Sequence, residues 1–268
     1  MERMERAMFG HKPLVVTALL SVSLSALAEM NTAELTQEGD YLSASIEQTA
    51  TNSQATVYQQ GSDSTVTLRQ LQGDGNQAVI VAQQFYYSQV DLLQSGDNNR
   101  ANIQNIRSDN RLTASQVGAN NQLLIPSAKY IYGYGSTIRS DTQGDDNNVT
   151  IEQGAEQSSI DYDVIGNANT VHIDQATISE TITGTMIGNG NAADIQQSGQ
   201  YNGSIRLDQE GDFNTAFINQ ASYEGASHTV VSQTGTFNDA HVEQLRHYAG
   251  SNTTLTQTGV GNSARVIQ

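Results

Sequence analysis

The chain has 268 residues, no cysteine, no tryptophan and a formal net charge of −16. That length allows one or two domains, the missing cysteines exclude disulfides, and the acidic balance argues against nucleic acid or an anionic membrane surface as partner. Glutamine, asparagine, serine, threonine and glycine dominate, a composition that alone would suit a disordered chain; the order of the residues points elsewhere.

Arg3, Arg6 and Lys12 open the chain, Leu14 to Leu27 is an apolar run mixed with Ser and Thr, and Ala26-Leu27-Ala28 offers a small-residue cleavage site. These are the parts of a secretory signal peptide spanning residues 1–28. The run is short for a membrane span, and no later stretch is apolar enough for one. An exported protein beginning near Glu29 is expected, with nine basic against 26 acidic residues.

From residue 31 one pattern returns: Ser-x5-Gln-x-Gly-x2-Asn-x-Ala-x-Ile-x-Gln. The unit at 53 reads Ser53, Ala55, Val57, Gln59, Gly61, Ser64, Val66, Leu68, Gln70, and the last reads Ser251, Thr253, Leu255, Gln257, Gly259, Asn262, Ala264, Val266, Gln268. Ten units start at 31, 53, 88, 110, 136, 158, 180, 203, 227 and 251. Each is seven residues, four, seven, and a linker. Within each seven the consistent positions alternate, the period of a strand with one buried face. The four-residue spacer carries Gly39, Gly61, Gly96, Gly118, Gly144, Gly166, Gly188, Gly211, Gly235 or Gly259 at its second place. A fixed glycine there implies a tight turn or a close backbone approach. Strand, turn, strand and linker make one coil. Residues 29–268 are therefore predicted to form an all-β, flattened, amyloid-like β-solenoid of about ten repeats of 22–24 residues.

Extra residues fall in the linkers: Ala221–Ala226, Leu245–Gly250, the tyrosine-rich insert 128–135 and the irregular insert 71–87. The last holds Asn76, Ala78, Ile80 and Gln83, the material of a degenerate eleventh coil. Insertions of this kind are expected on one edge of the solenoid.

Glutamines and asparagines at inward positions need a reason, since an unpaired buried amide costs several kcal/mol. In coils stacked about 4.8 Å apart each amide lies over another and donates to its carbonyl, a bond contributing about 0.5–1.5 kcal/mol. Such ladders fix register, because a slip of one residue turns the set outward. The repeat runs to the last residue and starts just after the leader, so no capping unit is expected and the end coils should recruit further copies.

The unit resembles the curlin repeat of bacterial curli subunits, along nearly all of the exported part. By position, the resemblance implies a stacking ladder of Gln37, Gln48, Gln59, Gln70, Gln94, Asn99, Gln116, Asn121, Gln153, Asn169, Gln175, Asn191, Gln197, Gln209, Asn214, Gln220, Gln233, Asn238, Gln244, Gln257, Asn262 and Gln268. Thr142, Val164 and Met186 depart from it, Asn105 and Ser127 replace closing glutamines, and Glu180 stands where Ser is usual. The resemblance further implies a Gram-negative, biofilm-associated extracellular fibre, a partner subunit (major or nucleating), and export through an outer-membrane pore with accessory proteins. The family's separate secretion-targeting segment between leader and repeats is not evident.

Other chemistries fit less well. Asp161 and Asp163 flank Tyr162 on an outward face, the arrangement of a carboxylate pair in a glycan-cleaving β-helix, but a solvated acidic face is the plainer reading. His172, His228 and His241 fall on outward phases without metal-ligand spacing. Gly73-Asp74-Gly75-Asn76, Gly96-Asp97-Asn98-Asn99 and Gly144-Asp145-Asp146-Asn147 have the make-up of calcium turns but lack the nine-residue period of calcium β-rolls. Tyr130, Tyr132 and Tyr134 alternate in the insert, as an extra short strand or a contact surface. The expectation is a non-enzymatic, self-assembling fibre subunit with no cofactor, no metal and no membrane span. The alternative is a β-solenoid adhesin that binds glycan or a protein through the insert-bearing edge.

Overall fold

The computed structural model describes residues 22–24, 30–104, 109–126, 135–199, 202–222, 225–247 and 250–268. Among these residues there are twenty-two strands and no helix. The chain begins β1 (Val22–Leu24), β2 (Thr32–Asp40), β3 (Ser43–Gln48), β4 (Gln54–Ser62), β5 (Thr65–Gln70), β6 (Gln77–Tyr86), β7 (Gln89–Ser95) and β8 (Arg100–Gln104). It ends β20 (Asp239–His247), β21 (Asn252–Val260) and β22 (Ser263–Ile267). Odd-numbered strands form one eleven-stranded parallel sheet and even-numbered strands another, each in chain order. The chain thus passes from one sheet to the other and back with every coil, which is the β-solenoid expected from the alternation.

Inward side chains stack in columns one coil apart. In the even sheet Ala55 lies beside Ala78 and Ala101, and Val57 beside Ile80 and Ile103. All are buried. The core is built of such columns from both sheets, one side chain deep from each. One column in the odd sheet is uneven: Ser140, Tyr162, Gly184 and Leu207 follow one another. Tyr162 is fully buried, and a Cβ on Gly184 would lie 2.4 Å from its ring. The large side chain on one coil is matched by none on the next, which keeps the packing closed without moving the backbone.

The segment 71–87 is not an irregular insert. It contains β6, paired in register with β4 and β8, and so supplies a full strand to the even sheet. It is half a coil, and it changes the phase of the repeat. In the units at 31 and 53 the first strand is in the even sheet and the second in the odd sheet; from residue 88 onward the order is reversed. Gly39 and Gly61 therefore turn on the opposite edge from Gly96 and every later turn glycine. The switch leaves a register shift between Gln60 and Gly61, where Gly61 pairs with Phe85 rather than with another turn glycine. Residues 221–226 and 245–250 each connect an even strand to the next odd one, as does the connection containing 128–135. Most of that connection, with Tyr130, Tyr132 and Tyr134, lies outside the described residues, as do Asn105 and Ser127.

Candidate functional site

The inward glutamines form four hydrogen-bonded runs, two in each sheet. In the odd sheet Gln48 Nε2 donates to Gln70 Oε1, Gln70 to Gln94 and Gln94 to Gln116, each at 2.9 Å. Farther along, Gln209 donates to Gln233 at 2.8 Å and Gln233 to Gln257 at 2.9 Å. In the even sheet Gln37 donates to Gln59 at 2.7 Å, and Gln153, Gln175, Gln197, Gln220 and Gln244 form an unbroken run of 3.0 Å bonds. Gln268 accepts from Gln244 at 3.4 Å. In every one of these glutamine-to-glutamine bonds the donor points toward the C-terminal coil, so the ladders have a direction.

The interruptions are staggered between the sheets. Thr142, Val164 and Met186 replace glutamine in the odd sheet, all buried, while the even sheet keeps Gln153, Gln175 and Gln197 across the same coils. In the even sheet the gap begins at Ala82, which pairs with Gln59. A break leaves a mark: the Oε1 atoms of Gln209, which follows Met186, and of Gln48, at the first described coil, are buried without a hydrogen-bond partner. An orphaned amide oxygen of this kind costs about 1–3 kcal/mol.

The asparagine ladder is more continuous than the glutamine ladders. Asn76, Asn99, Asn121, Asn147, Asn169, Asn191, Asn214, Asn238 and Asn262 are linked by Nδ2-to-Oδ1 bonds of 2.8–3.3 Å. Each Oδ1 also accepts the backbone N–H of the next asparagine, as Asn99 does from Asn121 at 3.1 Å. Most of the Nδ2 groups reach one coil further to a turn-glycine carbonyl, as Asn121 reaches Gly144 at 2.6 Å. The turn and the ladder are thus one device. A Cβ on Gly118, whose φ is +124°, would lie 2.1 Å from the Gly144 carbonyl oxygen, so glycine is needed for the approach as well as for the dihedral. Asn76 and Asn147 belong to this ladder although neither was among its expected members. Asn76 sits in the stretch read as an insert, and Asn147 keeps the Gly-x2-Asn spacing from Gly144 inside a run that reads as an acidic turn.

That acidic run is structural too. Asp145 Oδ1 accepts the Ala119 N–H at 2.7 Å, Asn167 Oδ1 that of Asp145 at 2.8 Å, and Asp212 Oδ1 that of Asn189 at 2.7 Å. Asp97 does the same for Asp74 at 2.9 Å. These side chains cap the turn amides of the preceding coil. Among the described residues no group of three or more His, Cys, Asp or Glu is placed to hold a metal ion.

The outward candidates pair locally. Asp161 and Asp163 lie 2.6 Å and 2.8 Å from Arg139, which also contacts Asp141. The hydrogen bond to Asp161 leads in raising the guanidinium pKa. Burial pushes the Asp163 carboxyl up, against the pull of Arg139. His228 Nδ1 lies 2.8 Å from Ser204 Oγ, and the His241 ring stacks on Phe217 beside Glu243. Burial drives the Tyr162 hydroxyl far above its ordinary value, and that oxygen has no hydrogen-bond partner.

The two ends differ from the middle. Ala33, Leu35 and Gln37 on β2 are only half-buried, whereas Ala55, Val57 and Gln59 directly beside them on β4 are buried. At the other end Leu255, Ala264 and Val266 are half-buried beside the buried Val231, Ala240 and Val242. The same columns that are closed in the interior are open at β2 and at β21 and β22.

Residues 31–61 match the family model of the curlin associated repeat. Over that stretch the chain carries a curlin associated repeat. The matched stretch covers β2, β3 and β4 with the glycines Gly39 and Gly61, and the coil it describes recurs through the described residues to β22. No curated protein matches the chain. Read as a curlin repeat, the described ladder residues are brought together by the fold, and Thr142, Val164 and Met186, which depart from the repeat, stand where the glutamine run of the odd sheet stops.

Proposed function

We propose that this chain is the structural subunit of an extracellular, curli-like amyloid fibre that grows by stacking coil on coil at its ends and supports matrix and adhesion. The curlin family is one of fibre-forming structural subunits rather than of enzymes. The observation that carries the reading is the burial contrast along single columns: inward residues that are closed in every interior coil stand half-open at both ends. A parallel strand edge with an unfinished amide ladder is completed best by another copy of the same edge. The reading includes removal of residues 1–28 on export, passage through an outer-membrane pore, and a second curli subunit as partner. Among the described residues no helix is long and apolar enough to cross a membrane.

The test is purified 29–268 at neutral pH, followed by amyloid-dye binding and fibre diffraction. The expected result is fibres with a reflection at about 4.7–4.8 Å. A protein that stays monomeric, folded and soluble for days would refute the proposal.

A further inference from the structure

The half-coil supplied by β6 has a consequence for how copies join. Successive strands occupy the odd and even sheets in strict alternation, and β22 lies in the even sheet. The next strand to be laid down therefore belongs in the odd sheet. In an exported copy without its leader the first strand is β2, which within its own copy belongs to the even sheet. We infer that successive copies in the fibre are related by half a turn about the fibre axis, so that each sheet of one copy runs on as the other sheet of the next. In this arrangement β21 pairs with β2 of the next copy and β22 with β3. The inference rests on the fibre reading above and deepens it by specifying the joint.

Three observations favour it. First, like stacks on like. From Gly96 to Gly235 each turn glycine is followed, one coil on, by another whose carbonyl fills the space of its absent Cβ; for Gly235 that oxygen, on Gly259, is 2.0 Å away. Gly259 itself, at φ +116°, meets only Asn262. Its edge is opposite to that of Gly39, and half a turn brings the two into line. Where the glycine turn at Gly61 is stacked on a linker, with Gly61 opposite Phe85, register breaks, while the linker 49–52 pairs with the glycine turn at Gly73 only through the isolated Thr51–Asp74 bridge.

Second, the ladder continues. The Gln48 Oε1 atom is buried and unpartnered, and the donor missing from it is the Nε2 of a glutamine on the preceding coil. Half a turn delivers Gln268 of the preceding copy to Gln48, and Gln257 to Gln37, both with the donor direction found inside the chain. Third, the slot is already used. In the described chain β1 pairs with β3, Val22 opposite Ile46. Under the proposed register Val266 of a preceding copy takes that place once the leader has gone. A copy added without rotation would instead leave a strand-wide gap in the odd sheet.

The absence of cysteine makes the joint testable. Thr36 and Thr256 are exposed and fall opposite each other across the proposed joint, as do Ser45 and Arg265. Neighbouring parallel strands stand about 4.8 Å apart, within disulfide reach. Fibres of T36C/T256C and of S45C/R265C, oxidised after assembly, are expected to run as covalent multimers on non-reducing gels, whereas E34C/R265C fibres, whose cysteines an unrotated copy would set side by side on β2 and β22, are expected to remain monomeric. Fibres that link through E34C/R265C, or through none of these pairs, overturn the half-turn and leave the fibre reading standing. If neither the parent protein nor the variants form fibres, the fibre reading itself fails, and the joint with it.

Discussion

Gln94 is the clearest place to measure what an interior amide contributes. It is fully buried, accepts from Gln70 at 2.9 Å, and donates to Gln116 at 2.9 Å and to the Gln77 carbonyl at 3.0 Å. Replacing it by alanine removes a methylene worth about 0.8 kcal/mol. It also strands the Gln116 oxygen at about 1–3 kcal/mol, so Gln94→Ala should cost about 2–4 kcal/mol in all. Gln94→Met keeps the volume and copies what the chain does at Met186, so only the stranded oxygen remains, about 1–3 kcal/mol. Thr65→Ala, at an exposed position, is the control and should stay within about 0.5 kcal/mol. Guanidinium unfolding followed by far-UV circular dichroism gives the three values. An alanine variant no less stable than the Thr65 control would refute the claim that the ladder contributes stability.

Other outcomes follow from particular residues. Burial raises the Asp163 pKa above its ordinary 3.8, so the folded state holds that proton more tightly than the unfolded state. Stability from this group therefore falls as pH rises through the window above the ordinary value, and Asp163→Asn should gain on the parent between about pH 3 and about pH 6 in denaturant midpoints. A constant difference across that range would contradict the sign. Ala168 sits at φ 54°, where a side chain costs about 1–2 kcal/mol, so Ala168→Gly should stabilise by about 1 kcal/mol in the same unfolding assay. The excess of 26 acidic over nine basic residues in 29–268 should make copies repel one another, so lag times for fibre growth should shorten as salt is raised at neutral pH; equal lag times would count against that.

Much of this was legible in the residues because a strand with one buried face writes its alternation directly into the chain. Ala55, Val57 and Gln59 could be placed inward from spacing alone, and Gly96 at a turn likewise. The half-coil was harder. In β6 the closing position is Ala82 instead of glutamine, and its Gly73 and Asn76 follow the closing strand of the unit at 53 rather than a first strand of their own, so the segment does not read as a unit. Only its pairing with β4 and β8 identifies it as a strand and exposes the change of phase. Asn147 was hidden among acidic neighbours, although its spacing from Gly144 was regular. The match of Tyr162 to Gly184 lies in different repeats at equivalent positions, and it becomes visible only when coils are stacked. The side-chain caps on turn amides, such as Asp145 on Ala119, join residues one repeat apart and have no local signature.

A cryo-electron-microscopy reconstruction of fibres of residues 29–268 examines the joint between copies directly. Strand spacing of about 4.8 Å running without interruption across it, with Gln257 against Gln37 and Gln268 against Gln48 at hydrogen-bonding distance, is the expected density. Fibres built by side-to-side association, with β2, β21 and β22 left facing solvent, would contradict the claim that unfinished columns drive assembly.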